Sequence, residues 1–186
     1  MKHAIGLDLS AKPERCSGIA VVNTSRREVT DLSCLGSDEE ILNSVRDLSE
    51  SVIAIDAPLT AYPLMREVDR LMIKSGLRVL PPNFRWMRQL TLRGYSIMSE
   101  LSKVGFTVIE THPRSVMKLL ELKDVRELLK LLGIRLNGAC KLNKHLEDAL
   151  IAAAVAYCYL TNCVTSISAH DGTVYLITDR IRILRD

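Results

Sequence analysis

Short apolar runs open the chain and alternate with segments of turn composition. Ala4 to Leu9 and Gly18 to Asn23 are apolar and rich in β-branched residues, so they predict a hairpin of two strands. Val29 to Leu35 predicts a third antiparallel strand. Val52 to Ala57 and Thr107 to Thr111 are nearly all apolar and are each closed by a proline, which is typical of strands in a sheet that helices cover on both faces.

Helical periodicity occupies much of the remaining sequence. It predicts one helix from a Ser37–Glu40 capping box to near Ser51, and others over about 63–74, 86–104, 115–122, 124–132 and 142–161. Residues 164–178 predict a strand, a turn at Asp171-Gly172 and a strand. We therefore expect an α/β layered fold with a mixed sheet, antiparallel in strands 1–3 and parallel afterwards.

Composition indicates a globular chain. Its 186 residues, 47% of them hydrophobic, suit one domain over residues 1–186, and a charged fraction of 25% excludes fibrous and disordered classes. The longest apolar run, Ala149 to Leu160, is well short of the ~20 residues that span a bilayer. The residues after Lys2 lack a secretory-signal pattern. We expect a cytoplasmic protein that does not bind membranes.

Cysteines stand at positions 16, 34, 140, 158 and 163. Their odd number and the lack of a C-x-x-C pair argue against a disulfide framework and against a structural zinc site. We expect reduced thiols that are mostly buried.

Four carboxylates interrupt apolar elements. They are Asp8 in I-G-L-D-L, Asp56 in V-I-A-I-D-A-P, Glu110 in V-I-E-T-H-P and Asp148 in H-L-E-D-A-L-I-A-A-A. An unpaired buried carboxylate costs several kcal/mol or shifts its pKa by roughly 3–5 units, whereas Mg²⁺ or Mn²⁺ makes such a cluster favourable. Any one of them could instead cap a helix or pair with an arginine. The four together indicate a metal site.

His145 lies three residues before Asp148, so both side chains share a helix face and can reach one metal ion or scissile group. Acids and a histidine in a solvated first helical turn are the alternative interpretation. Glu147 points about 100° away around the helix.

The motifs I-G-L-D-L-S, I-D-A-P and E-D-A-L-I-A-A-A resemble the ribonuclease H-like superfamily, whose acids sit on the first strand, at the end of the fourth strand and on the last core helix. Together with R-E-V-D-R and V-I-E-T-H-P-R they are similar to the family called domain of unknown function 429, which is described as predicted nucleases. This resemblance covers Ile5 to about Tyr159 and implies a three-layer ribonuclease H-like fold with helices on both faces of the sheet.

The first and last motifs are also similar to resolvases of the RuvC type, some of which have a metal-site histidine three residues before the final aspartate, as His145 and Asp148 are placed. Those resolvases carry a glutamate where this chain has Asp56, and they lack the E-T-H-P strand. The resemblance therefore favours a nuclease of this fold over a true resolvase.

The resemblance implies a hydrolase that cleaves phosphodiester bonds of DNA or RNA with two Mg²⁺ or Mn²⁺ ions. Asp8 would bridge both ions, and Asp56 and Asp148 would each hold one. Glu110 would be a fourth ligand or would orient the others, and His145 would be a ligand or a proton carrier.

Positive charge marks the candidate nucleic-acid surface. The net charge is +3, yet eight basic residues and only three acids lie between Tyr62 and Lys103, within a predicted helical insertion at about 60–105. Phe84 and Trp86 could stack on bases, although Trp86, Met87 and Leu90 at helical spacing are more typical of a core. The predicted contacts are Arg66, Arg70, Arg85, Arg88, Arg114 and Lys144.

Two other functions fit parts of the sequence. A sugar-kinase-type phosphotransferase also has an aspartate on its first strand, but the turn A-K-P-E-R-C-S has no glycine, and 186 residues leave no room for a second domain. A non-catalytic nucleic-acid-binding or scaffold protein is the stronger alternative, although a binder of polyanions gains nothing from buried acids. A homodimer is possible through an edge strand of the C-terminal hairpin.

Overall fold

A computed structural model describes residues 2–48, 50–138 and 141–178. The strands are β1 (His3–Asp8), β2 (Ser17–Asn23), β3 (Glu28–Leu35), β4 (Val52–Ile55), β5 (Thr107–Thr111), β6 (Val164–Ala169) and β7 (Gly172–Ile177). The helices are α1 (Asp38–Val45), α2 (Glu67–Lys74), α3 (Trp86–Lys103), α4 (Pro113–Leu119), α5 (Val125–Leu132) and α6 (Lys144–Leu160).

The strands form a mixed sheet in the order β3-β2-β1-β4-β5-β7-β6. Strands β1, β2 and β3 pair antiparallel, and β4, β5 and β7 continue the sheet parallel to β1. Strand β6 pairs antiparallel with β7, so the predicted C-terminal hairpin forms the edge opposite β3. The predicted α/β fold with a mixed sheet is confirmed.

Helices cover the two faces of the sheet, and the alternation of side chains along β1 shows why. Ala4 faces a core built with α2, α4, α5 and α6, whereas Ile5 and Leu7 face a second core with α1 and α3. Both faces of the central strands are therefore buried, as their continuous apolar sequence predicts.

Helix α6 lies unusually close to β1 and β2. A Cβ atom on Gly6 would lie 2.0 Å from the carbonyl oxygen of Ala149, and one on Gly18 would lie 2.2 Å from that of His145. Only glycine permits this approach. As a consequence, the first two turns of α6 stand directly beside the end of β1.

Helix α2 begins later than predicted, at Glu67 instead of Pro63. The carboxylate of Asp171, in the β6–β7 turn, accepts hydrogen bonds from the backbone N–H groups of Glu67 at 2.5 Å and Val68 at 3.2 Å. A residue about a hundred positions away therefore fixes this helix end, and local sequence does not reveal it.

The prediction of reduced cysteines is wrong for four of them. Cys16 and Cys34 form a disulfide with their Cα atoms 5.0 Å apart, and Cys158 and Cys163 form another at 4.5 Å. Pairing of Ser17 with Leu35 across β2 and β3 brings the first two together. Cys140 lies outside the described residues. Spatial pairing of this kind cannot be read from the number or spacing of cysteines.

Within the described ranges, the structure has no helix of the length and apolarity needed to cross a membrane.

Candidate metal centre and its surroundings

Three elements bring three carboxylates together. Asp8 ends β1, Asp56 directly follows β4, and Asp148 lies in the second turn of α6. Because β1 and β4 are parallel, their carboxyl ends meet at one edge, where the backbone N–H of Asp56 donates to the carbonyl of Leu7 at 2.8 Å. One carboxylate oxygen from each aspartate lies within 4.8 Å of the others. We call these residues the acidic triad.

Burial and mutual repulsion raise the pKa values of two members of the triad. Burial raises the pKa of Asp8 to about 6, and the charge of Asp148 adds to this effect. Burial, followed by the charges of Asp8 and Asp148, raises the pKa of Asp56 well above its ordinary value. Three clustered carboxylate oxygens, two of them on side chains with raised pKa values, are the ligand set that suits a hard divalent cation such as Mg²⁺ or Mn²⁺.

Two side chains from the start of α6 contact the triad. The Nδ1 atom of His145 lies 2.6 Å from Oδ2 of Asp8, and Nζ of Lys144 lies 2.7 Å from Oδ1 of Asp148. Both side chains are about half exposed. Lys144 and His145 thus sit between the acids and the solvent.

Glu110 lies beside the triad but has a different partner. Its carboxylate accepts two hydrogen bonds from the guanidinium of Arg66, at 2.5 and 2.7 Å, and one from the backbone N–H of Leu59 at 2.9 Å. Arg66 also donates to Asp69 at 2.8 and 3.1 Å. The three side chains form a buried ion-pair cluster, in which burial raises the pKa of Glu110 against the opposing effect of Arg66.

At two positions of this cluster the structure differs from what the sequence predicts. Arg66 is only 5% exposed and its guanidinium is engaged by two carboxylates, so its side chain does not face the solvent as a phosphate contact would. Asp69 belongs to this cluster and is not among the residues that the sequence predicts for the site. The available signal was the R-E-V-D-R motif, which places Arg66 and Asp69 one helical turn apart.

His112 and Arg114 lie where β5 passes into α4, at the edge of the site. Nδ1 of His112 lies 2.7 Å from Oγ of Ser115, and burial together with the charge of Arg114 lowers the pKa of His112 to about 4. The imidazole is therefore neutral at physiological pH. Arg114 is exposed, and its charge offsets part of the rise that burial, Asp8 and Asp148 cause in the pKa of Asp56.

The remaining predicted basic contacts are exposed. Arg85 and Arg88 lie at the start of α3, and Arg70 lies on α2, where it pairs with Glu67 at 3.3 Å. Trp86 is 62% exposed, so the core interpretation of this residue is wrong. Nζ of Lys12 lies 5.8 Å from its ring centroid, within the range of a cation–π contact.

A cavity of about 280 Å³ extends from the triad. Besides the acids and the Arg66 cluster, its lining includes Arg78 and an apolar wall on the side of α2 and α3. This wall was not predicted, because its members come from segments that are separated in the chain.

Comparison with solved structures finds the same architecture in the protein RuvC. Thermus thermophilus RuvC in complex with a Holliday junction substrate matches with a TM-score of 0.57 at 15% identity, over 86% of this chain and 96% of that chain. A second structure of the same Thermus thermophilus protein gives a TM-score of 0.53 with the same identity and coverage. At this identity the likeness shows the fold alone, which is the predicted ribonuclease H-like fold.

No protein-family model matches the chain, and no curated protein sequence matches it.

Proposed function

We propose that this protein is a metal-dependent nuclease, a hydrolase of phosphodiester bonds in DNA or RNA, with Asp8, Asp56 and Asp148 as ligands of Mg²⁺ or Mn²⁺. The observation that carries the proposal is the acidic triad. Its oxygens meet within 4.8 Å although they come from three elements far apart in the chain. Membership of the family called domain of unknown function 429, a cytoplasmic location and a homodimer stay predictions.

The surroundings of the triad support this function. When bound, the metal supplies a Lewis acid that polarises the phosphodiester and lowers the pKa of water. Asp8, Asp56 and Asp148 would hold the metal, and His145 holds the carboxylate of Asp8 through the 2.6 Å contact. Glu110 is proposed to position the site through Arg66 and the backbone of Leu59.

Exposed cations surround the site and offer contacts for the phosphates of a polynucleotide. Arg114 and Lys144 line the cavity beside the acids, and Arg85 and Arg88 lie exposed at the start of α3. Phosphate contacts of this kind position the substrate and make its affinity salt-dependent. Arg66 is left out of the proposed interface because it is buried in the ion-pair cluster.

Calorimetric titration with Mg²⁺ and Mn²⁺ tests the metal centre, followed by cleavage of single-stranded, duplex and branched DNA and RNA. We expect metal binding and cleavage by the wild type and loss of both in Asp8→Asn. Asp31→Asn, which changes an exposed acid on β3, is the matched control and should behave as the wild type. A wild type that binds no metal even with nucleic acid present would overturn the proposal and favour a non-catalytic binding protein.

A further inference from the structure

One side of the cavity beside the triad has no role in metal chemistry. Its apolar wall is formed by Pro58, Met72, Val79, Leu80, Met87 and Leu90. These residues come from the loop after β4, from α2, from the segment before α3 and from α3 itself. A concave apolar surface beside converging charged groups is typical of a site that binds a small ligand, and Leu80, which is 57% exposed, leaves part of this surface open to solvent.

The other sides of the cavity define what that ligand must be. Arg78 and Arg114 are exposed cations in the lining, and the acidic triad is the proposed metal site. The ligand should therefore combine an anionic group with a flat or compact apolar body. At about 280 Å³ the cavity is near the lower end of the ~300–1,000 Å³ that small-molecule sites occupy.

A nucleotide has this chemistry, but a base inside a double helix is stacked and cannot enter such a cavity without leaving the stack. Exposed aromatic side chains stand next to the wall in the sequence. Trp86 and Phe84 precede Met87, and the guanidinium of Arg85 lies 5.6 Å from the ring centroid of Phe84. Aromatic rings combined with cations are the means by which proteins hold unpaired bases.

We propose that the apolar wall receives the base of one unpaired nucleotide while its phosphodiester lies at the acidic triad. This inference rests on the nuclease function proposed above and specifies its substrate class. That class is an unpaired nucleotide in single-stranded or locally distorted nucleic acid. An intact duplex is excluded from the cavity.

Binding can be measured separately from cleavage by fluorescence anisotropy with Ca²⁺ in place of Mg²⁺. The probes are a labelled single strand, its fully paired duplex and the same duplex with one unpaired nucleotide, each as DNA and as RNA, with a nucleoside monophosphate as competitor. We expect the single strand and the interrupted duplex to bind about 10-fold more tightly than the paired duplex. Competition by the monophosphate would show that a free nucleotide suffices.

Leu80→Asn tests the wall itself, because Leu80 is exposed and its replacement leaves the core intact. We expect about a 5-fold loss of affinity for unpaired probes, with duplex and metal affinities unchanged. Leu92→Asn is the matched control, since Leu92 is an exposed leucine of α3 outside the cavity lining. Equal affinity of the wild type for paired and unpaired probes, or no effect of Leu80→Asn, would overturn the inference.

The two proposals fail in different ways. Equal cleavage of duplex and single strand would keep the nuclease and reject the base-binding wall. If the protein prefers unpaired probes but neither binds metal nor cleaves any substrate, the nuclease proposal is rejected and the wall remains a nucleotide-binding site.

Discussion

Nδ1 of His145 lies 2.6 Å from Oδ2 of Asp8, which joins the start of α6 to the end of β1 at the acidic triad. A partner of this kind fixes the orientation of a carboxylate before a metal arrives, and loss of such partners typically lowers metal affinity by 10–100-fold. We expect His145→Ala to weaken Mg²⁺ and Mn²⁺ binding by about 10-fold in calorimetry.

Glu147→Gln is the control for this variant, because it changes a neighbouring residue of α6 that does not line the cavity. Its metal affinity should equal that of the wild type. Unchanged affinity in His145→Ala would show that Asp8 is held by its burial alone.

The raised pKa of Asp8 predicts a pH-dependent stability of the metal-free protein. Its pKa is about 6 in the folded protein, above the ordinary value of 3.8, chiefly because of burial. Between pH 3.8 and about pH 6, the folded state therefore binds more protons than the unfolded state. The contribution of the protonated Asp8 to stability is complete below pH 3.8 and is lost as pH rises through about 6.

Chemical denaturation in EDTA from about pH 4 to about pH 8 tests this sign. As pH rises across this range, the free energy of unfolding of Asp8→Asn should increase relative to that of the wild type by on the order of 1–3 kcal/mol. Mg²⁺ should offset this difference above about pH 6, because binding to the ionised triad stabilises only the wild type. A difference that is constant with pH would contradict the raised pKa.

The triad could be predicted from the sequence because its signal is local. Asp8 and Asp56 each interrupt or end an apolar strand, and Asp148 interrupts an apolar helix, so each residue is conspicuous within a few positions of its neighbours. The alternation of strands and helices predicts the α/β fold with a mixed sheet, whereas the order of the strands, which brings these elements together, comes from the structure.

The sequence does not reveal contacts between residues that are distant in the chain. Glu110 looks like the triad members because it also lies in an apolar strand, but its partner Arg66 is 44 positions away. Trp86 has helical spacing from Leu90, yet it lies at the exposed start of α3. Periodicity locates a face of a helix and does not say whether another element covers it.

The Arg66 cluster predicts a large stability effect from one substitution. Arg66→Met leaves Glu110 and Asp69 buried without their counter-ion, which typically costs 3–5 kcal/mol. Arg66→Lys should also destabilise the protein, since a point charge cannot donate to both carboxylates as the guanidinium does. Urea denaturation measures both effects.

Arg70→Gln is the matched control, because the side chain of Arg70 is exposed and pairs with Glu67 on the same helix. Its free energy of unfolding should change by less than about 0.5 kcal/mol. A similarly small change in Arg66→Met would contradict a stabilising role of the ion-pair cluster.

Arg88 predicts how nucleic-acid affinity responds to salt. If it contacts a phosphate, Arg88→Gln should weaken binding of all sequences alike and reduce the slope of log affinity against log salt concentration by about 1. Lys103→Gln, at the other end of α3, should leave the slope unchanged. Equal slopes in Arg88→Gln and the wild type would place the polynucleotide elsewhere.

The close approach of α6 to Gly6 predicts that a substitution at this position disturbs both the packing of α6 on β1 and the geometry of the triad. A methyl group at this position would lie 2.0 Å from the carbonyl oxygen of Ala149 and 2.2 Å from the backbone nitrogen of Ala153, and backbone atoms of a helix can move away only as a unit. Gly6→Ala should therefore destabilise the protein by at least the 1–3 kcal/mol that is typical of overpacking, and displace Asp148 from Asp8. Gly36→Ala should leave stability and metal affinity close to those of the wild type, since its methyl group would meet nothing nearer than 3.4 Å. Full metal affinity in a folded Gly6→Ala variant would show that the triad tolerates a shift of α6.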